Sequence, residues 1–206
     1  MTLRDLSHSD MYSKRALDVI LTIVLIFSLT PLFVIVGMLV VLEDGWPIIY
    51  RRRVVNQDGE FDAFKFRSMR VDADAVLDAN AALRDQFKRN FKLKNDPRVT
   101  RTGRLIRKLS LDELPQLINV LRGDMSLVGP RMVSRAELEK YGQNRDLLLT
   151  VKPGLTGYWQ VNGRQAVDYE ERVKMDLHYI KNWSLAMDLK ILLKTPYAVF
   201  TREGAY

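Results

Sequence analysis

The sequence predicts a mostly helical α+β protein, with an N-terminal re-entrant membrane helix followed by a compact cytoplasmic domain. Three observations predict this class: one charge-free apolar run near the amino terminus, a turn tetrapeptide between two strand-like segments, and apolar residues at helical spacing through most of the remainder. A chain of 206 residues can bury one good core. We therefore expect residues 1–45 to hold the membrane helix and residues 46–206 to form one domain.

The apolar run from Val19 to Leu42 contains 24 residues and no charge. A helix needs about 20 apolar residues to cross the core of a bilayer, so this segment is long enough to do so. A cleavable signal peptide is the competing interpretation, but its apolar region is shorter and is followed by small residues. Residues 43–46, with the sequence Glu-Asp-Gly-Trp, provide no such cleavage motif.

Two features bear on whether this helix spans the membrane or turns back. Pro31 lies at the middle of the run and removes a backbone hydrogen bond, and the hydroxyl of Thr30 can bond back to the helix and favour a bend. Both flanks are basic, and positive flanks stay in the cytoplasm. We therefore predict a helix that enters, breaks at Thr30-Pro31 and leaves by the same face, with a kinked spanning helix as the alternative. The basic residues are Arg4, Lys14 and Arg15 before the run and Arg51, Arg52, Arg53, Lys65 and Arg67 after it.

The domain that follows begins with a predicted β-hairpin over residues 48–69, turning at the sequence Asn-Gln-Asp-Gly of residues 56–59. Helical spacing dominates after it, apart from a glycine-rich stretch at 153–164. The last helix mixes Lys190 and Lys194 with apolar residues, which suits either an amphipathic interfacial helix or an ordinary core helix. The predicted helices cover residues 71–92, 101–109, 112–123, 135–141, 169–180 and 185–200.

Composition excludes several kinds of chemistry. The chain has no cysteine, which removes disulfides, thiolate metal sites and cysteine nucleophiles and fits a reducing cytoplasm. Its two histidines, His8 and His178, are far apart in the sequence, which argues against a zinc site or a Ser-His-Asp triad. Catalysis would therefore fall to carboxylates, lysine, arginine and hydroxyl groups.

The net charge of +7 indicates an anionic partner. Such a charge suits either a nucleic-acid binder or a protein that lies on an anionic membrane and handles phosphorylated substrates. The apolar run favours the second class. The sequence contains no zinc-finger, homeodomain or RNP pattern, so we expect no nucleic-acid partner.

Adjacent carboxylates, Asp112 and Glu113, follow two cations at the predicted start of a helix. Ser110 and Glu113 have the spacing of a capping box, but Pro115 would then fall where the helix needs an N–H. If Asp112 is the cap, Pro115 lies in the tolerant first turn. A helix terminus depresses the pKa of a carboxylate and attracts phosphate, so a nucleophilic aspartate and its substrate could share this place. A simple helix cap is the other interpretation.

Several further residues could bind a phosphorylated substrate. Arginine and lysine side chains supply donors for phosphate, and carboxylates can bind Mg²⁺ together with a diphosphate or simply face solvent. Glycines at 154, 157 and 163 make a loop that a nucleotide could approach, although no Walker or Rossmann pattern is present. The cationic candidates are Arg107, Arg131, Lys65, Arg67 and Arg164, and the acidic ones are Asp124, Asp176 and Asp188.

Five blocks of this sequence resemble a known family. They begin at Lys65 (KFRSM), Leu109 (LSLDELPQL), Asn119 (NVLRGDMS), Val128 (VGPR) and Pro153 (PGLTG, continued by QVNGR). Together they resemble the bacterial sugar transferases, which are monotopic polyprenyl-phosphate phosphoglycosyl transferases. The similarity covers nearly the whole chain, from about Tyr12 to about Lys194.

The resemblance implies an enzyme of the bacterial inner membrane whose catalytic domain lies on the cytoplasmic face. Such an enzyme transfers a sugar 1-phosphate from a UDP-sugar to undecaprenyl phosphate and releases UMP, as the first membrane step of exopolysaccharide or other glycoconjugate synthesis. The implied cofactor is Mg²⁺. The implied partners are the UDP-sugar, undecaprenyl phosphate and the bilayer. A homodimer is a further possible assembly.

The resemblance also implies individual roles. Asp112 would be the nucleophile that forms a covalent phosphosugar intermediate, and Glu113 would help it to hold Mg²⁺ and would assist the incoming phosphate. Arg107 and Arg131 match family positions that bind phosphate, and Asp176 and Asp188 match acidic positions that line the same site. Lys65, Arg67 and Arg164 are further candidates for substrate binding. A non-catalytic basic membrane adaptor is the alternative function.

Two departures from the family pattern concern the anchor and the donor sugar. Thr30-Pro31 stands where the family has Ser-Pro or a similar pair, and Met132 stands where many members have proline. The run over residues 134–142 resembles members that transfer glucose 1-phosphate or galactose 1-phosphate, so we expect a hexose. The chain begins at once with the anchor, as in the small form of the family.

Overall fold

The computed structural model describes residues 8–90, 93, 96–163 and 167–200. Most of these residues are helical, as predicted, and the strands are few and short. The elements are α1 (His8–Asp44), β1 (Ile49–Asn56), β2 (Gly59–Phe66), α2 (Ala73–Asp78), α3 (Ala81–Asn90), α4 (Arg101–Lys108), the dyad turn (Leu111–Glu113, a 3-10 turn), α5 (Gln116–Arg122), β3 (Ser126–Val128), α6 (Arg135–Leu138), a 3-10 segment (Glu139–Asn144), α7 (Arg145–Leu148), β4 (Gly154–Thr156), α8 (Tyr158–Asn162), α9 (Tyr169–Lys181) and α10 (Leu185–Phe200).

Helix α1 runs without a gap through the predicted break. Pro31 lies inside it, and the Thr30 hydroxyl donates to the Ile26 carbonyl at 2.8 Å, as the sequence led us to expect. A single proline removes only one helical hydrogen bond, so the chain can accommodate it without leaving the helix. The predicted break is therefore wrong as an interruption of secondary structure, and the re-entrant path stays a prediction.

The surface of α1 is apolar on almost every side. Only 11% of its most apolar stretch is buried within the protein, and Phe27 and Leu42 are 77% and 83% exposed. The core helix of a soluble protein would instead be mostly buried. By length and composition, α1 is long and apolar enough to cross a membrane.

The predicted hairpin is confirmed, and its two faces have different surroundings. Strands β1 and β2 pair antiparallel from Ile49 opposite Phe66 to Asn56 opposite Gly59. Because side chains alternate across a strand, Phe64 and Phe66 lie on one face and Lys65 on the other. The phenylalanine face, together with α1 and α5, lines an apolar groove of about 1180 Å³.

The segment predicted as one helix over 112–123 is a short turn followed by a helix. Leu111–Glu113 form the dyad turn, and α5 begins only at Gln116. Pro115 has no N–H to donate and directly precedes the first helical residue, where this is tolerated. The prediction that Asp112 caps the helix is therefore wrong.

A second, parallel sheet of two three-residue strands was not predicted. Ser126 pairs with Gly154 and Val128 with Thr156. The backbones approach so closely that a Cβ on Gly154 would lie 2.1 Å from the Gly129 nitrogen, so both positions require glycine. A further bridge to Gly154 places Arg131 beside β4.

The remaining helices agree with the sequence in part. The predictions for 169–180 and 185–200 are confirmed by α9 and α10. The predicted helix over 71–92 is two helices, because Asn80 interrupts it and accepts a hydrogen bond from the Leu83 N–H to cap α3. Residues 91 and 92 lie outside the described part. Residues 135–141 form α6 and then a 3-10 segment, and α7 and α8 were not predicted.

Two hydrophobic clusters hold these elements together. The larger one lies within the domain, and the smaller one joins the carboxyl half of α1 to the domain. In the smaller cluster Val36 and Val40 of α1 pack with Phe66 at the end of β2 and Ile106 of α4. Helix α1 is therefore part of the folded core and is not a detached tail.

Candidate active site

The two carboxylates of the dyad turn share one lysine from the hairpin. Lys65 Nζ lies 2.6 Å from Glu113 Oε1 and 3.9 Å from Asp112 Oδ2. All three side chains are largely buried. Since Lys65 occupies the face of β2 opposite the apolar groove, the hairpin separates the charged site from the apolar side.

Two arginines predicted to bind phosphate flank the same dyad. Arg131 Nη2 lies 3.6 Å from Glu113 Oε1. Arg107 donates from Nε to the Ser68 hydroxyl at 2.7 Å, and its charge acts on Asp112. Burial lowers the pKa of Arg107 below its ordinary value, although Asp112 opposes the shift. Five predicted residues therefore come together here: Lys65, Arg107, Asp112, Glu113 and Arg131.

The two carboxylates have pKa shifts in opposite directions, because burial dominates at Asp112 and nearby positive charge dominates at Glu113. Asp112 is only 9% exposed, and loss of solvation raises its pKa against the opposing charge of Lys65. Burial also acts on Glu113, but Lys65 and Arg131 outweigh it and lower the pKa of Glu113 to about 2. The expectation that a helix terminus depresses the pKa of Asp112 is therefore wrong, because desolvation dominates at this position.

The backbone before the dyad turn is constrained. Ser110 has φ of 56° and ψ of 21°, in the left-handed region that costs an ordinary residue about 1 kcal/mol or more. Its N–H donates to the Arg107 carbonyl at 3.0 Å, and the Leu114 N–H donates to the Leu111 carbonyl at 3.2 Å. This conformation turns the chain sharply from α4 into the dyad.

The dyad fits a magnesium site completed by a substrate. Mg²⁺ in enzymes commonly binds one or two carboxylates, with substrate phosphates and water as its other ligands. Among the described residues no group of three or more histidine, cysteine or acidic side chains gathers, so Asp112 and Glu113 would be the protein's share. Within the described part of the chain, the ion pair of Asp112 is with Lys65 at 3.9 Å, which leaves a buried carboxylate able to accept a cation.

Asp176 lies in a buried polar cluster next to Arg131. Its Oδ2 accepts from the Tyr141 hydroxyl at 2.8 Å, and Arg172 Nε lies 3.9 Å from the same atom. The Arg172 guanidinium lies 5.0 Å from the ring centre of Trp159, and that of Arg131 lies 5.9 Å from it. The role of Asp176 in binding substrate stays a prediction.

The buried carboxylate of Asp176 should make stability depend on pH. Burial raises its pKa from the ordinary 3.8 to about 6, although Arg172 and the Tyr141 hydroxyl oppose the shift. The folded state then binds this proton more tightly than the unfolded chain. The stabilisation that this proton gives the folded state is therefore complete below pH 4. It is lost as pH rises through 6, which lowers the free energy of unfolding by roughly 1–3 kcal/mol. Asp176→Asn cannot titrate there.

Unfolding in detergent micelles at pH 4.5 and 7.5 tests this expectation. The free energy of unfolding of the wild type, relative to Asp176→Asn, should be lower at pH 7.5 than at pH 4.5. An equal difference at both values would mean that Asp176 is not the titrating group.

The other predicted site residues lie elsewhere or outside the described part. Arg67 is 7% exposed and donates from Nη1 to Asp44 at 2.8 Å, so it ties β2 to the end of α1. Asp188 accepts from Lys14 at 2.6 Å and from Tyr179 at 2.8 Å, at the amino end of α1. Arg164 lies outside the described residues. Substrate binding by all three stays a prediction.

Sequence reasoning missed several residues that support the site. Arg52 was counted only as a flanking charge, yet it lies on the same face of the hairpin as Lys65 and its charge helps to lower the pKa of Glu113. Strand alternation could have identified it. Ser68, which positions Arg107, lies within the KFRSM block but was given no role there. Tyr141 and Arg172 come from distant segments, and no local signal marks them.

Comparison with known proteins decides the family. A family model described as bacterial sugar transferase matches residues 9–202. The chain belongs to the bacterial sugar transferase family. The match covers nearly the whole sequence, including every residue of the charged dyad site.

Three curated relatives illustrate the range of this similarity. The chain is 48% identical over 96% of its length to the undecaprenyl-phosphate galactose phosphotransferase of Salmonella typhimurium, and 46% identical over 94% to the exopolysaccharide production protein ExoY of Sinorhizobium fredii. It is 39% identical over 94% to the UDP-glucose:undecaprenyl-phosphate glucose-1-phosphate transferase of Escherichia coli. The chain spans 42% of the Salmonella protein, 41% of the Escherichia coli protein and 88% of ExoY.

Proposed function

We propose that this protein transfers a hexose 1-phosphate from a UDP-hexose to undecaprenyl phosphate and releases UMP. The observation that carries the proposal is the buried Asp112–Glu113 dyad, which Lys65, Arg107 and Arg131 surround with positive charge. A diphosphate would repel two carboxylates in the absence of such cations. Charge stabilisation and positioning are the main tasks in phosphoryl transfer.

Asp112 is the nucleophile of the proposed reaction. One of its carboxylate oxygens attacks the phosphorus that carries the sugar, and the bond from that phosphorus to the bridging oxygen breaks as UMP leaves. The hexose 1-phosphate is then held on Asp112. A phosphate oxygen of the acceptor lipid attacks the same phosphorus, and Asp112 leaves as the free carboxylate.

The surrounding residues prepare the dyad for this exchange. Lys65 and Arg131 keep Glu113 ionised, so it can align the acceptor phosphate and share the metal. The charge of Arg107 acts on Asp112, and its guanidinium would offer donors to the leaving UMP. Mg²⁺, held by Asp112 and Glu113, would supply charge neutralisation of the diphosphate.

The names of two relatives support the proposed sugar and acceptor. The Salmonella relative is named for galactose and the Escherichia coli relative for glucose, and both names include undecaprenyl phosphate. The run over residues 134–142 resembles transferases of the same two sugars. We therefore propose that the transferred sugar is glucose or galactose. The lipid-linked product would then be used in the synthesis of exopolysaccharide or a related glycoconjugate.

An assay for UMP release tests the proposed function. Purified protein is incubated in nanodiscs with Mg²⁺, undecaprenyl phosphate and a panel of UDP-sugars. We expect UMP from UDP-glucose or UDP-galactose only when the lipid phosphate and Mg²⁺ are both present. Failure of every UDP-sugar, together with salt-sensitive binding to anionic vesicles, would favour the membrane adaptor instead.

We also propose that α1 enters and leaves the cytoplasmic face of the inner membrane. A helix that crosses the bilayer core of about 30 Å places its two ends on opposite faces. Here the same domain holds both ends, through Lys14 bonded to Asp188 and Asp44 bonded to Arg67. A bend at Thr30-Pro31 would let both ends of α1 contact the same domain while its apolar surface lies in the lipid.

An apolar stripe on α10 supports placing the domain against the membrane surface. Leu189, Leu193 and Tyr197 are 44%, 81% and 73% exposed, and Lys190 and Lys194 lie beside them. Exposed apolar residues beside lysines are typical of a helix at the interface. We therefore propose that α10 lies on the same leaflet as α1.

Cysteine labelling tests this topology. The chain has no cysteine, so single substitutions at Ser13 and at Gly45 give unique labels at the two ends of α1. In inverted membrane vesicles, an impermeant maleimide should modify both positions. Labelling of only one position, with the other reacting only in right-side-out spheroplasts, would establish a spanning helix.

A further inference from the structure

The carboxyl end of the membrane helix directly caps a helix of the catalytic domain. Glu43, in the last turn of α1, accepts from the Arg101 N–H through Oε1 and from the Thr102 N–H through Oε2, each at 2.7 Å. The third N–H of α4, from Gly103, is satisfied by the Thr100 hydroxyl at 2.8 Å. The first turn of a helix leaves such donors without partners, so α1 completes the amino end of α4.

Helix α4 is in turn firmly connected to the reacting groups. It packs so tightly on the chain after β2 that a Cβ on Gly103 would lie 2.0 Å from the Ser68 carbonyl oxygen. At its other end it carries Arg107, and the Ser110 N–H that turns the chain into the dyad bonds to the Arg107 carbonyl. A shift of α4 would therefore move Arg107 and the dyad turn together.

The amino end of α1 holds the other side of the same unit. Arg15 donates from Nη1 to the Val120 carbonyl at 2.6 Å and from Nη2 to the Leu121 carbonyl at 2.8 Å, in the last turn of α5. A guanidinium at this end of a helix satisfies free carbonyls and the helix dipole. Helix α1 therefore contacts the amino end of α4, which precedes the dyad, and the carboxyl end of α5, which follows it.

We propose that Glu43 is a positioning residue for the Asp112–Glu113 dyad, acting through the amino end of α4. Its contacts are with backbone N–H groups of α4, so its effect on the reaction is indirect. Because Glu43 belongs to the membrane helix, the way in which α1 is seated in the bilayer is transmitted to the dyad. The proposal rests on the function proposed above.

Substitution of Glu43 should lower kcat more than it changes KM. Small displacements of catalytic groups are costly, so for Glu43→Ala we expect kcat to fall roughly 10- to 100-fold. KM for the UDP-hexose should stay within about threefold of the wild type, since ground-state binding of the donor is not removed. Glu43→Gln keeps one acceptor oxygen and should have an intermediate kcat, and it carries the test if Glu43→Ala does not fold.

The matched control is Asn80→Ala, which removes the cap of α3 by deleting the acceptor of the Leu83 N–H. That helix carries none of the dyad residues. Asn80→Ala should cost a similar amount of stability but leave kcat unchanged. Glu43→Ala with the kcat of Asn80→Ala would overturn the proposal.

Hydrogen exchange provides a readout that does not depend on activity. In Glu43→Ala the amides of Glu113 and Leu114 should exchange roughly tenfold faster than in the wild type, whereas Asn80→Ala should leave them unchanged. Unchanged exchange of these amides in Glu43→Ala would contradict the proposal. If the wild type released no UMP from any donor, the proposed function would fail, and exchange alone would decide the role of Glu43.

Discussion

Replacing Asp112 with asparagine is expected to abolish turnover while leaving the fold intact. Asparagine has nearly the same shape but cannot form the covalent phosphosugar intermediate, so UMP release should fall by about 10³-fold or more. Burial raises the pKa of Asp112, which means that its charge costs stability at neutral pH. The melting temperature of Asp112→Asn should therefore equal or exceed that of the wild type.

The covalent step gives a second measurement for the same variant. Incubation with a radiolabelled UDP-hexose and Mg²⁺, without acceptor lipid, should leave label on the wild type and none on Asp112→Asn. Asp58→Asn, in the exposed hairpin turn, is the matched control and should retain both label and turnover. Near wild-type turnover of Asp112→Asn would show that Asp112 is not the nucleophile.

Local signals explain which parts of the fold could be predicted. The hairpin was predictable because its turn sequence and the alternation of Phe64, Lys65 and Phe66 both lie within a few residues of each other. The long apolar helix α1 was predictable from one uninterrupted apolar run. Strands β3 and β4 were not, because they have three residues each and depend on the close approach of Gly129 to Gly154, which no local pattern reveals.

The candidate site was predictable in its members but not in its electrostatics. Family motifs identified Asp112, Glu113, Lys65, Arg107 and Arg131, and the structure brings all five together. The direction of the Asp112 shift was wrong because a sequence shows a helix start but not the burial of a side chain. Burial depends on packing between β2, α4 and the dyad turn, which are separated in the sequence.

The contacts of Arg67 and Asp188 illustrate the same limit. Arg67 lies in the KFRSM block and Asp188 was inferred from the family resemblance, and sequence alone gave no reason to separate them from the residues of the dyad. Their observed partners, Asp44 and Lys14, belong to the two ends of α1. Long-range pairs of this kind connect α1 to the rest of the protein and leave no spacing pattern in the sequence.

Removal of Lys65 is expected to have the second largest effect. Lys65→Met removes the cation nearest to both carboxylates, so repulsion between the dyad and the diphosphate rises. Loss of one preorganised charge in a buried site typically lowers kcat by about 10²- to 10³-fold. Removing one partner of a buried ion pair also lowers the free energy of unfolding, by roughly 3–5 kcal/mol. Lys65→Arg keeps the charge and should lose less of both.

A double-mutant cycle separates the two roles of Lys65. Glu113→Gln removes the carboxylate that Lys65 contacts at 2.6 Å. The double variant Lys65→Met with Glu113→Gln should be more stable than the sum of the single changes predicts, because no unpaired charge is left buried. The kcat of the double variant should nevertheless stay low, since neither the Lys65 ammonium nor the Glu113 carboxylate is present to act on the substrate. Additive losses of stability would mean that the Lys65–Glu113 pair contributes nothing as a pair, and the charge of Lys65 would then act on the diphosphate alone.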